Sequence, residues 1–417
     1  MLFTVVIACG GSTETALDVE KEVAIGNQLL PDIEATVEAR SEEAIVVPTP
    51  MSNVTMEEVA EEVIVKAKAT STPTATPVPA RVPTISHVQC DVGQLDVTMF
   101  AASSVPKEET DLTKEWICLS VRLFFDRPHM NWEMANPIYI AALDRNNIDS
   151  AIELEKVYCE HIKNYHNSGY GNNGYNNGKC SPDYDPKMSG CNYGLCLFTT
   201  KDGRVAGSSI SSNRHRDGFY LFISKSHDMP KHHHGYKVTT LHEMFHVFQQ
   251  SNISRTDHSV NEFKSLLGKR SGDNKEIDVP WWNEGTAVYL AHLNYSRQPG
   301  EINDWLIREG TRNLWSDYGT GRGNLIDQYQ ESGRKLYNFE YGGSDHQVAY
   351  RVGFWFVAYL IDQVGEDKIY DFYGGLEKNG FGKSFEIHFG KSYKEHVEGF
   401  DIFLTKSKSE ILSIIPQ

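Results

Sequence analysis

No apolar run in this 417-residue chain approaches the roughly 20 residues that a helix needs to cross a bilayer, so no helical membrane span is expected. A surplus of basic residues is missing as well. Forty Lys and Arg face 56 Asp and Glu, a formal net charge of −16, which removes the electrostatic basis for binding nucleic acid. The chain has no internal repeat, and no CxxC pair from which a cysteine metal site would be built. Aromatic residues and positive charge are scarcest in one stretch. Residues 12–65 hold thirteen Asp or Glu against Lys21 and Arg40 alone, with no aromatic side chain, and "KATSTPTATPVPARVPT" (68–84) continues in the Thr/Pro/Ala composition of an extended linker. A disordered acidic stalk is expected over 12–86, with a folded part over 87–417.

The start, "MLFTVVIACGG", resembles the end of a bacterial lipoprotein signal, although it has no basic n-region and its apolar run is short. Residues 1–11 therefore read either as a truncated signal, with Cys9 as the lipid anchor of an exported protein, or as an accidental match. The other six cysteines, Cys90, Cys118, Cys159, Cys180, Cys191 and Cys196, are an even number that suits disulfides in an oxidising compartment. One bridge is expected within Cys180, Cys191 and Cys196, because the Gly/Asn-rich stretch around them needs a staple to hold a shape. Reduced, buried cysteines are the alternative.

Among what the chain does contain, one helix stands out. "TTLHEMFHVFQQ" (239–250) sets His242 and His246 four residues apart, with Glu243 directly after the first, among Leu241, Met244, Phe245, Val247 and Phe248. Positions i and i+4 share a helix face with Cβ atoms ~5–6 Å apart, so both imidazoles can reach one ion. The apolar neighbours imply burial, and two histidines with a carboxylate are costly inside a core unless something satisfies them. Zinc would do so. His-Glu-x-x-His on a helix is the zincin signature, with the imidazoles as ligands and the glutamate working on the activated water. A catalytic zinc takes three protein ligands and keeps a position open, and "WWNEGTAVY" (281–289) offers Glu284 as the third.

This HExxH, followed by a helix bearing Asn283, Glu284, Gly285 and Ala287, resembles the gluzincin metallopeptidases, whose third ligand is that glutamate. The resemblance spans about residues 215–400. It implies one zinc per chain, held by His242, His246 and Glu284, with Glu243 as general base. Gluzincin aminopeptidases also carry a tyrosine in a Tyr-x-x-Gly helix. Tyr350-Arg351-Val352-Gly353 fits that pattern 66 residues after Glu284, which implies an oxyanion-donor role for Tyr350; simple packing is the other reading. Thirty-seven residues separate His246 from Glu284, a longer spacing than in those aminopeptidases, so an inserted helix and loop are expected. The Gly-x-Met-Glu-Asn segment that holds a substrate's amino terminus is absent, which implies cuts within peptides.

Other titratable residues read as structural: the "KHHHG" turn (231–235), Asp183 and Asp185, and His258, His292 and His346. Along the chain, "EWICLSVRLFF" (115–125) is strand-like and 137–165 is mostly helix-periodic with a break near Asn146-Asn147. A hairpin is expected around Asp202-Gly203, a strand over 218–224, and helices over 238–250, 259–270, 281–295 and 346–365. Thr240 and Glu243 have capping-box spacing. The expected fold is an α+β, zincin-like catalytic domain with strands in 87–235 and a mainly helical part in 236–417. The expected function is zinc-dependent hydrolysis of a peptide or protein outside the cell. A zincin-like binding or adhesion module is the rival, against which the intact Glu243 speaks.

Overall fold

Five strands form one sheet in a computed structural model that describes residues 82–128, 130–144, 147–166, 210–215, 218–225, 233–254, 257–269, 279–315, 323–340 and 346–416. They are β1 (Thr84–Val88), β2 (Val97–Ala101), β3 (Ile138–Asp144), β4 (Ile210–His215) and β5 (Gly218–Lys225), in spatial order β1-β2-β3-β5-β4. The three central strands run parallel, and β1 and β4 close the edges antiparallel. In chain order the helices are α1 (Lys107–Ser120), α2 (Trp132–Ala135), α3 (Ile148–His166), α4 (His233–Ser251), α5 (Val260–Leu266), α6 (Pro280–Ser296), α7 (Trp305–Trp315), α8 (Leu325–Glu331), α9 (His346–Val364), α10 (Asp367–Phe389), α11 (Tyr393–Phe403) and α12 (Lys408–Leu412). The fold is α+β, and most of its described residues are helical.

Strand alternation serves two cores. Val97, Met99, Ile138, Ile140, Phe219 and Leu221 belong to the core shared with the helical body. Phe100, Tyr139, Ala141 and Leu143 pack instead with Ala151, Leu154 and Tyr158 of α3. The sheet is thereby covered on both faces.

Two segments differ from the sequence expectation. Residues 115–125, expected as a strand, are the end of α1 and a π-helical turn at Val121–Phe125. Trp116, Ile117, Ser120, Val121, Phe124 and Phe125 are all buried, a spacing that fills one helix face, and that burial overrides the strand propensity of the segment. The first half of 137–165, expected as helix, is β3. All seven of its residues are buried, as in a parallel strand covered on both sides, so no alternation shows in the sequence.

The remaining expectations meet smaller adjustments. Strand β1 begins three residues before His87, so Thr84–Ser86 are paired strand rather than stalk. Helix α4 begins at His233, and Thr240 lies inside it, its Oγ1 donating to the Tyr236 carbonyl instead of capping. Helix α5 is entered through a Ser259–Glu262 capping box, and α6 through Pro280 in its first turn. A Cys90–Cys118 disulfide ties the β1–β2 connection to α1. Cys9, Cys180, Cys191, Cys196, Asp183, Asp185 and the expected hairpin lie outside the described residues. Among the described residues no helix is long and apolar enough to cross a membrane.

Helix α6 is the centre of the helical body. Every residue from Pro280 to Tyr295 is buried, and it packs against α4 and α9. The approach to α9 is through glycine. A Cβ on Gly285 would lie 2.7 Å from the Gly353 carbonyl carbon, and one on Gly353 would collide with the Trp281 carbonyl oxygen. Trp281 and Trp282 then fill the space beside the crossing, against Phe356, Phe372 and Phe385.

Candidate metal centre

Helices α4 and α6 lie antiparallel: His234 meets the Tyr295 hydroxyl at one end, and Gln249 meets the Asn283 carbonyl at the other. Between those ends, the helical spacing of His242 and His246 puts both rings on the face of α4 that looks at Glu284 of α6. His246 Nε2 lies 3.0 Å from His242 Nε2 and 3.2 Å from Glu284 Oε2, and His242 Nε2 lies 3.5 Å from the same oxygen. All three residues are buried, and among the described residues they form the one group of His, Cys, Asp or Glu side chains capable of holding a metal ion. The three expected ligands are thus brought together.

Burial and charge set their protonation. Burial pushes His242 down to about 4, although hydrogen bonding to Glu284 pulls the other way. Burial would lower His246 too, but the charge and hydrogen bond of Glu284, with the charge of Glu243, outweigh it and raise this ring to about 9. Burial would raise Glu284, yet the positive charge of His246 and hydrogen bonds from both rings hold it well below the usual carboxylate range. At neutral pH the metal-free group therefore carries one carboxylate, one neutral imidazole and one proton on His246. That proton stands where a cation would.

Glu243 is fully buried, with Oε1 3.9 Å from His242 Nε2, beside the triad and not within it. Tyr350 lies three residues before Gly353, on the side of α9 that approaches α6, and is 9% exposed. His292, read from sequence as structural, accepts a 2.7 Å hydrogen bond from the Trp305 indole through Nδ1. Burial, then the charges of Arg351, Arg312 and His242, push it well below its usual value. His258 Nε2 sits 3.2 Å from Glu377, and His234, expected in a turn but lying in the first turn of α4, is 3.8 Å from Glu301. Sequence reasoning passed over Gln249. The available signal was a long amide three residues after His246, close to the ligand face of the helix. No protein-family model matches the chain, and no curated protein matches it, so the residues themselves carry the functional reading.

Proposed function

We propose that the protein is a zinc-dependent peptidase of the gluzincin type, with a zincin-like catalytic domain. The observation that carries this is the convergence of His242 Nε2, His246 Nε2 and Glu284 Oε2, separated by 3.0, 3.2 and 3.5 Å. Bonds of ~2.0–2.1 Å in a tetrahedral site put ligand atoms about 3.3 Å apart, so the donor set fits zinc in spacing as well as in type. Two imidazoles and one carboxylate leave a fourth position for a reactant.

When bound, zinc would polarise a scissile carbonyl and bring the pKa of water towards neutrality. The chain supplies the rest. His242, His246 and Glu284 hold the ion, and Glu243, adjacent but outside the ligand group, takes a proton from the attacking water and passes it to the leaving amine. Tyr350 donates from its hydroxyl to the oxyanion that develops on the carbonyl. The Cys90–Cys118 bridge supports an oxidising compartment, in keeping with an exported chain anchored through Cys9. The substrate is a peptide or protein cut internally.

The experiment compares zinc-loaded wild type with Glu243→Gln on a peptide library with free and blocked amino termini. The wild type is expected to cut blocked peptides internally. The variant should keep its fold and zinc while hydrolysis falls by at least the roughly 10²–10⁴-fold assigned to a general base. Cleavage confined to free amino termini would make it an aminopeptidase. A zinc-loaded wild type that cuts no peptide would favour the binding or adhesion module.

A further inference from the structure

We infer that Gln249 is the positioning residue of this centre: its carbonyl oxygen fixes the tautomer of His246, and its amide nitrogen holds Glu284 in register with that ring. This rests on the proposed metal reading for its purpose, but the tautomer itself is a property of the metal-free chain.

Gln249 is buried on α4, one turn after His246. Its Oε1 lies 2.7 Å from His246 Nδ1. Its Nε2 lies 2.8 Å from the Asn283 carbonyl, 2.9 Å from Thr286 Oγ1 and 2.9 Å from the Tyr373 hydroxyl. A glutamine has one accepting and one donating end, and the partners decide which end goes where. The Asn283 carbonyl only accepts. Thr286 Oγ1 spends its own proton on the Trp282 carbonyl at 2.7 Å, so it too receives. Turning the amide over would press two carbonyl oxygens together at 2.8 Å in a buried site, with no proton between them.

The oxygen end therefore faces His246, and Nδ1 must be the donor. In a neutral ring the lone pair then sits on Nε2, the atom that looks at His242 and Glu284. The opposite tautomer would leave Nδ1 and Oε1 as two buried acceptors at 2.7 Å. The second effect follows from the chain. Asn283 directly precedes Glu284, so the bond from Gln249 to its carbonyl fixes how far α6 is advanced along α4, and hence the height of Glu284 opposite His246. One side chain thus orients one ligand and registers another.

The test uses full-length wild type, Gln249→Met and Gln249→Glu. Imidazole ¹⁵N spectra of metal-free protein, at a pH above the titration of His246, report the tautomer. Chelator competition reports zinc affinity, and thermal unfolding reports stability. The wild type should show His246 protonated on Nδ1. Gln249→Met keeps the volume but removes the acceptor, so it should give mixed tautomers and about 10–100-fold weaker zinc binding. Gln249→Glu restores the acceptor and should hold zinc nearly as the wild type does, even though losing the donor to Asn283 lowers its melting temperature. An Nε2–H wild type would overturn the inference. So would unchanged zinc affinity in Gln249→Met, or loss of zinc in both variants in step with their loss of stability. Should Gln249→Met fail to fold, the wild-type spectrum and Gln249→Glu decide the matter. A wild type that is Nδ1–H but takes up no zinc would support the tautomer and refute the metal reading.

Discussion

Replacing Gly353 with alanine places a methyl group between two backbones that have no side chain to move aside. The new Cβ would meet the Trp281 carbonyl oxygen, and across the same crossing a Cβ on Gly285 would lie only 2.7 Å from the Gly353 carbonyl carbon. Ordinary contact needs about 3.4–4 Å, so α6 and α9 must part by roughly 1 Å. Overpacking of this kind costs about 1–3 kcal/mol, and a backbone obstacle argues for the upper end. Alanine returns about 1 kcal/mol through helix propensity, leaving a net loss of about 2 kcal/mol. For a domain of this size that lowers the melting temperature by on the order of 3 °C. The displacement also reaches the centre, because Glu284 directly precedes Gly285. A shift of that size in a ligand should weaken zinc by about 10-fold or more. Calorimetry and chelator competition read the two effects. The control is Gly382→Ala, where nothing lies within 4 Å and the same change should leave the melting temperature unchanged or slightly raised. A Gly353→Ala protein that melts and binds zinc like the wild type would refute the reasoning.

Three further outcomes are expected. Purified protein should hold one zinc per chain and His246→Ala should lose it; stoichiometric zinc in that variant, by metal analysis, would place the site elsewhere. His246 is raised above its ordinary value, to about 9, so the metal-free protein carries its proton at neutral pH. That proton adds stability below about 6.5 that is lost as pH rises through about 9, and zinc must displace it, releasing about one proton per ion from the ring at neutral pH. Titration calorimetry in buffers of different ionisation enthalpy counts that proton, and a count of zero at neutral pH would show that the charge assignment is wrong. Replacing Cys90 and Cys118 by serine opens a loop with a sequence separation of 28 and should destabilise by about 3–4 kcal/mol, read from denaturant unfolding.

The centre was legible in the sequence because its chemistry is written locally. His242, Glu243 and His246 fall within five residues of one helix, so helical periodicity brings the two imidazoles onto one face, while Glu284, on a second helix, was picked out by the gluzincin-like Asn-Glu-Gly-x-Ala pattern. What was not legible depends on distant partners. The buried strand β3 hides its alternation because α3 and the helical body cover both faces, and residues 115–125 look like strand until the sheet and α4 claim one side of them. Gln249 carried no motif; its role appears only once Asn283, Thr286 and Tyr373 arrive from α6 and α10. Gly285 and Gly353 were read as letters of two separate patterns. The structure shows that they are the two sides of one contact, which brings Tyr350 and Glu284 onto neighbouring helices.

Helix α6 has no solvent face from Pro280 to Tyr295, and this reaches beyond stability. Its amides can meet water only when the surrounding helices part, so they should be among the last in the chain to exchange their hydrogens for deuterium. The same enclosure restricts how the protein can change over generations. Any substitution along this helix must fit neighbours on every side, so change in what the protein recognises has to be written on other elements, while the carboxylate at the centre stays where it is.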